Sequence, residues 1–290
     1  MSVLQPCEVD LSALQKWEGR QQLKTEVIHS RPVVAMAATL DKELFSSEQG
    51  ACLAPLWHWL YFLPETPSAG LAEDGHPVLG GFLPPVPLSR RMWAGGRLEI
   101  GSPLRIGESV ERLSEIRSVR YKEGRSGPLV FVEVHHHFEG EHGGSMREEH
   151  DIVYRQPVKP GTPGTAPAAQ QPDLQAQWSV TVTPDPKLLF RYSALTFNTH
   201  RIHYDRSYCN NVEGYSGLVV HGPLLATLLL VEAGRAIPDI KVLSFSFRAV
   251  SPILDINDFT VNGRRDGHTL SLWIANHRGE LAMQAEARIR

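Results

Sequence analysis

Alternation of side-chain character along the chain predicts most of its secondary structure. Val130, Val132 and Val134 recur at every second position, which is the period-two pattern of a strand with two different faces. Similar segments predict strands at residues 97–100, 108–120, 128–138 and 146–154, and again at 178–182, near 195, and at 242–249, 258–266, 269–276 and 281–290. Successive strands with short turns indicate an antiparallel sheet in each half of the chain.

Apolar residues at helical spacing predict three helices. Residues 10–17 form a short one. Residues 47–62 are apolar nearly all round, as expected for a helix enclosed by a sheet. A third, strongly apolar helix is expected from residue 217 to about 232, where Pro223 suits the first turn because its missing N–H would have no partner there. In each half, therefore, an apolar helix precedes most of the strands.

A segment rich in Pro, Gly, Ala and Gln separates the two halves. Residues 156–177 include QPVKPGTPGTAPAAQQP, a composition that cannot form a core and is typical of a connection between domains. We therefore expect an N-terminal unit at residues 1–155 and a C-terminal unit at residues 178–290. Both are predicted to be α+β units with the same plan of one helix and a meander of strands.

Composition excludes several classes of protein. The 290 residues carry a net charge of −3, whereas a nucleic-acid surface usually shows as a basic excess. The three cysteines, Cys7, Cys52 and Cys209, have no C-x-x-C spacing, so neither a disulfide framework nor a thiolate metal site is indicated. No apolar stretch reaches the ~18 residues of a membrane span, and the N-terminal residues lack the features of an export signal. We expect a cytoplasmic protein without nucleic-acid or membrane partners.

The stretch from residue 190 to 230 carries the candidate chemistry. Asn198 and His203 follow an apolar segment that we interpret as a strand. A neutral imidazole can take a proton from water near pH 7, and an amide can orient that water. Downstream, the backbone amides of His221 and Gly222 open the apolar helix, where a donor stabilises charge developing on a carbonyl oxygen. These residues predict a hydration site, although a capped core helix after an ordinary loop has the same spacing.

The same segments resemble a known family. N-T-H-R-I-H at residues 198–203 has the spacing of the S-G-D-x-N-P-x-H segment of MaoC-like, (R)-specific enoyl-CoA hydratase (hydratase 2) hot-dog enzymes. V-H-G at residues 220–222 is similar to their A-H-G helix opening. The likeness is strongest to the branch that contains mesaconyl-C4-CoA hydratase and itaconyl-CoA hydratase, with segments of the form F-N-x-H-R-I-H-Y-D. It extends to PLWHWLYFLP, GGFLPPVPLSRRMWAGGRL and KEGRSGPLVFV in the first half.

This resemblance implies a fold, a reaction and residue roles. The fold would be a double hot-dog, in which two fused units each wrap a long central helix in an antiparallel sheet. The reaction would add water to a branched C5-dicarboxylic enoyl-CoA, converting itaconyl-CoA or mesaconyl-C4-CoA to citramalyl-CoA, as in itaconate degradation. His203 would be the base, Asn198 would hold the water, and Gly222 N–H would polarise the thioester. Because Asn198 stands where the commoner pattern has Asp, a need for two proton carriers would require help from Asp205 or Glu213.

Recognition of the substrate would need further side chains. The free carboxylate of a dicarboxylic thioester suits a guanidinium, which can form paired hydrogen bonds with it. The candidates are Arg90, Arg91, Arg201 and Arg248. Arg90 and Arg91 are also candidates for a CoA phosphate. Other residues predicted to contact substrate are Tyr192, Tyr204, Trp57 and His221.

No metal or separate cofactor is expected, since CoA would be part of the substrate. In the run His135-His136-His137 only the first and third side chains share a face of a strand, which we expect to face solvent. No carboxylate or thiol at ligand spacing in the sequence completes a metal site there. Edge strands of a two-unit chain favour a homodimer.

Three other functions remain open at this point. The nearest is a hydratase or dehydratase of straight-chain (R)-3-hydroxyacyl thioesters. The absent Asp makes a non-catalytic acyl-CoA-binding hot-dog protein a second alternative. A thioesterase is the third, because one scaffold hosts different reactions.

Overall fold

Ten antiparallel strands form one sheet in the part of the chain that the structure, a computed structural model, describes: residues 9–41, 46–124, 127–156 and 169–290. The strands are β1 (Gln21–Val27), β2 (Arg90–Ser102), β3 (Ser109–Gly124), β4 (Gly127–Gly140), β5 (Ser145–Arg155), β6 (Trp178–Val182), β7 (Val242–Ala249), β8 (Phe259–Asp266), β9 (Thr269–Ala275) and β10 (Leu281–Ile289). The helices are α1 (Leu11–Gln15), α2 (Ser30–Thr39), α3 (Pro186–Leu195), α4 (Arg206–Tyr208) and α5 (Gly222–Ala236). The predicted strands 178–182 and 242–249 are confirmed to the residue.

The strand order is the same in both halves of the chain. It runs β1-β3-β4-β5-β2-β7-β10-β9-β8-β6, so the second half repeats the first half in reverse across the centre of the sheet. The centre is the β2–β7 pair, which joins Gly95 to Arg248 and Glu99 to Ser244. A Cβ on Gly95 would lie 2.6 Å from the carbonyl oxygen of Phe247. The two halves therefore meet backbone to backbone at a position where only glycine fits.

Helix α5 is the central helix of the second half. All ten of its residues from Leu224 to Ala233 are buried, and it packs against β8, β9 and β10. It begins at Gly222, five residues after the predicted start at 217, because Val220 N–H is committed to Ile253 O at 2.8 Å. The apolar character of the helix thus reflects complete enclosure.

The predicted helix over residues 47–62 is wrong. Only a 3₁₀ turn, Trp57–Leu60, is present there. Leu56 and Phe62 on either side of the turn have left-handed backbone angles, with φ of 69° and 55°, and an α-helix cannot continue through them. The longer of the two described α-helices in this half is α2, which packs against α3 and the 3₁₀ turn.

The predicted strand near residue 195 is also wrong, because this segment is helix α3. Asp185 caps the helix by accepting a hydrogen bond from Leu188 N at 2.8 Å, and Pro186 occupies the first turn. Asp-Pro at this spacing is a recognised start signal for a helix. Asn198 therefore follows a helix and not a strand.

The boundary between the halves remains a prediction. Strand β5 ends at Arg155 and β6 begins at Trp178, while residues 157–168 of the proposed linker lie outside the described residues. The described helices include none long and apolar enough to pass through a bilayer.

Candidate active site

Both halves of the chain line one cavity of about 1150 Å³. The second half contributes Asn198, His203 and Gly222, and the first half contributes His76, Arg91 and His150. The segment that carries Asn198 and His203 follows α3, and Gly222 opens α5. The three residues predicted to be catalytic thus lie around a common space.

His203 has the tautomer required of a base. Its ring is 7% exposed, and Nδ1 lies 2.7 Å from Val219 O. Because a carbonyl oxygen only accepts, Nδ1 must carry the hydrogen and Nε2 must carry the lone pair. Burial lowers the pKa of His203 to about 4, although the bond to Val219 opposes that shift. The imidazole is therefore neutral near pH 7 and can take a proton through Nε2.

Asn198 is fixed by its own loop. Its Oδ1 accepts from His200 N at 3.0 Å, and its backbone N–H donates to Ser193 O at 2.8 Å. The side-chain oxygen is occupied, and Nδ2 donates to none of the described residues. Asn198 can therefore donate to a water in the cavity, but an amide cannot carry the second proton of a hydration.

Gly222 leaves room for a ligand at the start of α5. A Cβ added there would have no atom within 4 Å. The N–H groups of the first helical turn have no acceptor within the helix, and they lie at the positive end of its dipole. The arrangement can place a backbone donor on a carbonyl oxygen without a side chain intervening.

His221 lies beneath His203 and does not line the cavity. It is fully buried, its ring stacks on that of His203 with centroids 3.7 Å apart, and Nε2 lies 2.8 Å from Ser193 Oγ. Burial, together with His203 and His200, lowers its pKa well below the usual value. The side chain thus supports His203 as a neutral ring; its predicted contact with substrate stays a prediction.

Two further imidazoles, His200 and His76, extend from His203 toward the first half. We call His203, His200 and His76 the imidazole row. The rings of His203 and His200 have centroids 5.4 Å apart, and those of His200 and His76 are 4.0 Å apart. Burial lowers the pKa of His200 and of His76. Asp74 Oδ2 lies 2.9 Å from His76 Nδ1. Neither Asp74 nor His76 was found from the sequence, where they sit in a Pro- and Gly-rich loop without periodicity.

The loop that carries this pair is docked on the 199–201 segment. Arg201 N donates to Asp74 O at 2.9 Å, and Thr199 Oγ1 donates to Gly75 O at 2.5 Å. Gly75 has a φ of 88°, and a Cβ there would lie 1.8 Å from Thr199 O. The loop can approach this closely only because residue 75 is glycine.

A second polar cluster lines the cavity on the first-half strands. Glu148 lies 3.1 Å from both His58 Nε2 and His150 Nε2, and its Oε1 accepts from Trp59 Nε1 at 2.6 Å. Burial alone would raise the pKa of Glu148, but His150 and His58 lower it well below its usual value. His136 lies next to this cluster, 3.4 Å from His150. Because these contacts join β4, β5 and the 3₁₀ turn, no local pattern indicated the cluster.

Of the four predicted substrate arginines, Arg91 lines the cavity. Its positive charge lowers the pKa of both His76 and His200, which places it near the imidazole row. No ion pair joins Arg91 to a carboxylate among the described residues. A guanidinium without a carboxylate partner is available to a ligand.

The other three arginines are placed away from the cavity. Arg90 pairs with Glu213 at 2.8 Å, and Arg201 pairs with Asp205 at 2.8 Å while lying over the ring of Tyr208. Arg248 is exposed on β7 and follows the buried Phe247 directly. Because successive side chains of a strand point to opposite faces, Arg248 lies on the face of the sheet opposite to that of Phe245 and Phe247. Their predicted contact with substrate has no support in this arrangement.

Some of the remaining predicted residues line the cavity and others do not. Tyr192 is buried and lines the cavity. Tyr204 is 49% exposed and donates to Thr199 O at 3.1 Å. Trp57, the first residue of the 3₁₀ turn, is buried, whereas its neighbours His58 and Trp59 line the cavity. Asp205 and Glu213 are held in the arginine pairs, so neither supplies a proton carrier to the cavity.

Two groups of side chains hold potential metal-ligand atoms within 4.8 Å of one another. One is Glu133, His135 and Glu149; the expectation that no carboxylate at ligand spacing completes a site there is wrong, because Glu133 lies 2.8 Å from His135 Nε2 and β5 brings Glu149 to 3.9 Å. Arg97 pairs with both carboxylates and Arg120 pairs with Glu133, so both carboxylates are already engaged by guanidinium groups. His136 is buried on the other face of the strand, whereas His135 is partly exposed and His137 is exposed, as expected for the face that these two residues share.

The second group is Asp74, His76 and His200. The hydrogen bond between Asp74 and His76 Nδ1 occupies one carboxylate oxygen and one ring nitrogen. We interpret the two residues as an ordinary carboxylate–imidazole pair. The absence of a metal in the function stays a prediction.

Comparison with known proteins identifies a family and several relatives. Residues 56–255 match the family hydroxyacyl-thioester dehydratase type 2. The chain is 44% identical to mesaconyl-C(4)-CoA hydratase of Chloroflexus aurantiacus, over 94% of this chain and 96% of that protein. A MaoC-like dehydratase of Phytophthora capsici has a similar structure, with a TM-score of 0.68 and 15% identity over 97% of this chain and 98% of that one.

A Mycobacterium tuberculosis protein with a double hot-dog fold also matches, with a TM-score of 0.55 and 13% identity over 94% of this chain and 96% of that one. These likenesses confirm the predicted double hot-dog, while the relatives show a hydratase and dehydratase family. The chain is therefore a double hot-dog enzyme and belongs to the hydroxyacyl-thioester dehydratase type 2 family.

Proposed function

We propose that the enzyme adds water to a branched C5-dicarboxylic enoyl-CoA, converting itaconyl-CoA or mesaconyl-C4-CoA to citramalyl-CoA in itaconate degradation. The observation that carries this proposal is the shared cavity of His203, Asn198 and Gly222. The similarity to the Chloroflexus hydratase supports the choice of substrate.

Their geometry supports the following roles for the three residues. Gly222 N–H binds the thioester oxygen, where charge develops as the enolate forms; one such donor typically contributes ~3 kcal/mol to lowering a barrier. Asn198 Nδ2 orients the water. His203 Nε2 removes a proton from that water as its oxygen bonds to the β-carbon, and the α-carbon then takes up a proton. Itaconyl-CoA would need a shift of its double bond first, which the same base can serve.

Arg91 is the side chain that we assign to the free carboxylate. It is the predicted substrate arginine that lines the cavity, and its charge has no carboxylate partner among the described residues. A charge-assisted hydrogen bond is worth about 1.5–3 kcal/mol, or roughly tenfold to a hundredfold in affinity. A straight-chain enoyl-CoA without the second carboxylate gains nothing from Arg91.

The proposal is tested by following loss of the conjugated thioester with mesaconyl-C4-CoA and with crotonyl-CoA. We expect a preference for mesaconyl-C4-CoA, and we expect His203→Gln to abolish hydration of both. Arg91→Gln should raise KM for mesaconyl-C4-CoA about tenfold or more and leave KM for crotonyl-CoA unchanged; Arg248→Gln, on the other face of the sheet, is the matched control.

The rival functions predict different results in the same experiment. A strong preference for crotonyl-CoA would assign the enzyme to straight-chain (R)-3-hydroxyacyl thioesters. Binding of acyl-CoA without turnover would indicate the non-catalytic function, and release of free CoA would indicate a thioesterase.

The proposal includes a setting for the enzyme. We place it in the cytoplasm, since Cys52 and Cys209 are free thiols, and we assign it no cofactor beyond the CoA of its substrate. We further propose a homodimer. The edge strand β1 exposes Leu23 and Val27, and the molar mass in solution tests that assembly.

A further inference from the structure

The hydration requires two proton movements, yet the residues assigned so far include one proton carrier. Water loses a proton when its oxygen bonds to the β-carbon, and the α-carbon gains one. The commoner family pattern has a carboxyl at position 198, where this chain has an amide. Asp205 and Glu213, which could have replaced it, are held by Arg201 and Arg90.

We propose that His76, held by Asp74 on a loop of the first half, is the second acid–base residue of this site and delivers the proton to the α-carbon of the substrate. This inference rests on the proposed function. His76 lines the same cavity as His203, and the ring of His200 lies 4.0 Å from that of His76 and 5.4 Å from that of His203 between centroids. Its side chain is 19% exposed, so a substrate in the cavity can reach it.

Hydrogen bonding defines the reactive atom of His76. Asp74 Oδ2 accepts from Nδ1 at 2.9 Å, and Asp74 Oδ1 accepts from His76 N at 2.9 Å. Nε2 bonds to none of the described residues, and it is therefore the atom that exchanges a proton with substrate. A base whose far nitrogen is held by a carboxylate is the usual arrangement for proton transfer, because the carboxylate stabilises the imidazolium.

His76 is the member of the imidazole row with a carboxylate partner. The half-buried His200 and the buried His203 hydrogen-bond to no carboxylate among the described residues, and His203 Nδ1 bonds a neutral carbonyl. A single proton held by the row therefore resides on His76. Burial lowers the pKa of His76, and Asp74 opposes that shift. The charged and titratable groups that act on it are Asp74 from its own loop, Arg91 from β2, and His200 and His203 from the opposite segment.

The complete reaction then balances. His203 Nε2 takes a proton from water while the oxygen bonds to the β-carbon, and the electron pair of the double bond moves onto the thioester oxygen. The enolate collapses as the α-carbon takes the proton from His76 Nε2. His203 is left protonated and His76 neutral, and proton exchange with water returns both to their starting states before the next cycle. One water is consumed and no net proton is released.

The test compares the rate of hydration against pH for three variants of the full chain. His76→Gln keeps the size and polarity of the residue, and the backbone contacts that dock the loop do not involve its side chain. Asp74→Asn keeps the hydrogen bond but removes the charge. His142→Gln, at a side chain that is 61% exposed, is the control.

We expect His76→Gln to lower kcat about a hundredfold, as is typical for loss of a general acid, with KM changed less than threefold. The parent requires a protonated His76, so its kcat should fall as pH rises through the pKa of that group. His76→Gln should lack this fall, and Asp74→Asn should show it at lower pH because the imidazolium has lost its carboxylate.

An active parent whose kcat and pH profile are unchanged in His76→Gln would overturn the role of His76 and leave the proposed function standing. A parent that hydrates neither mesaconyl-C4-CoA nor crotonyl-CoA would overturn both. A variant that loses kcat but keeps the parent's pH profile would assign His76 a merely structural part and would likewise overturn the inference.

Discussion

Replacing Gly75 with alanine should displace the first-half loop, and with it lower kcat, while changing the stability of the fold by only about 1 kcal/mol. The new Cβ would lie 1.8 Å from Thr199 O, and it must move by about 1.6 Å to reach the 3.4 Å of ordinary contact. Both atoms belong to backbone or are attached to it, so no flexible side chain can give way. The loop must withdraw, and His76 moves with it.

The expected magnitudes follow from that displacement. Placing Cβ at a positive φ costs about 1 kcal/mol, and this cost alone would leave kcat unchanged. A misplacement of about 1 Å can cost about a hundredfold in rate, so we expect kcat for mesaconyl-C4-CoA to fall by that factor or more. Thermal unfolding and kcat are measured on the same preparations.

Gly143→Ala is the matched control. Gly143 has a φ of 85°, close to the 88° of Gly75, but a Cβ there meets nothing within 4 Å. It therefore carries the backbone cost without the clash. Equal kcat in the two variants would refute the argument that the loop must be docked for catalysis.

Two further predictions concern Gly222 and the buried imidazoles. Gly222→Ala should leave the unfolding temperature unchanged or slightly raised, because its Cβ meets no atom within 4 Å and alanine reduces the entropy of the unfolded chain. Its kcat should fall at least tenfold because the methyl group occupies the position of the thioester. An unchanged kcat would contradict the role of this amide. The pKa of His203 is about 4 in the folded chain against about 6.5 when unfolded, so the unfolded state binds the proton first. Its contribution to stability is fully present above pH 6.5 and is lost as pH falls toward 4, by about 3 kcal/mol. The free energy of unfolding measured with urea should be lower at pH 5 than at pH 7, and the difference should be smaller in His203→Gln. An equal difference in the two proteins would contradict this prediction.

Nine of the ten described strands were predictable from the sequence because their information is local, whereas β1 (Gln21–Val27) was not predicted. Strands β6 and β7 have a clear alternation of faces, and their bounds follow from it. The error at α3 could have been avoided, since Asp185 and Pro186 give a helix start signal that outweighs the short apolar run. The error at residues 47–62 could not, because burial of Trp57 and Leu60 depends on contacts with distant segments and not on a helical stripe.

The candidate site divides in the same way. His203, Asn198 and Gly222 lie within one stretch of sequence and could be found from motif spacing. Asp74 and His76 are more than a hundred residues away, and only the fold brings them to the imidazole row. The sequence likewise offered four candidate arginines. Only the structure distinguishes Arg91, which lines the cavity, from Arg248, which lies on the other face of the sheet.

The close approach of Gly75 to Thr199 has a consequence for how this protein can change over generations. A duplicated pair of units is free to diverge when each keeps its own machinery, but here one unit carries a loop whose position is set by the other. A substitution at Gly75 therefore limits which substitutions residues 199–201 can tolerate, and the reverse also holds. Exchange of either half for that of a distant relative would bring together surfaces that had not been selected to meet.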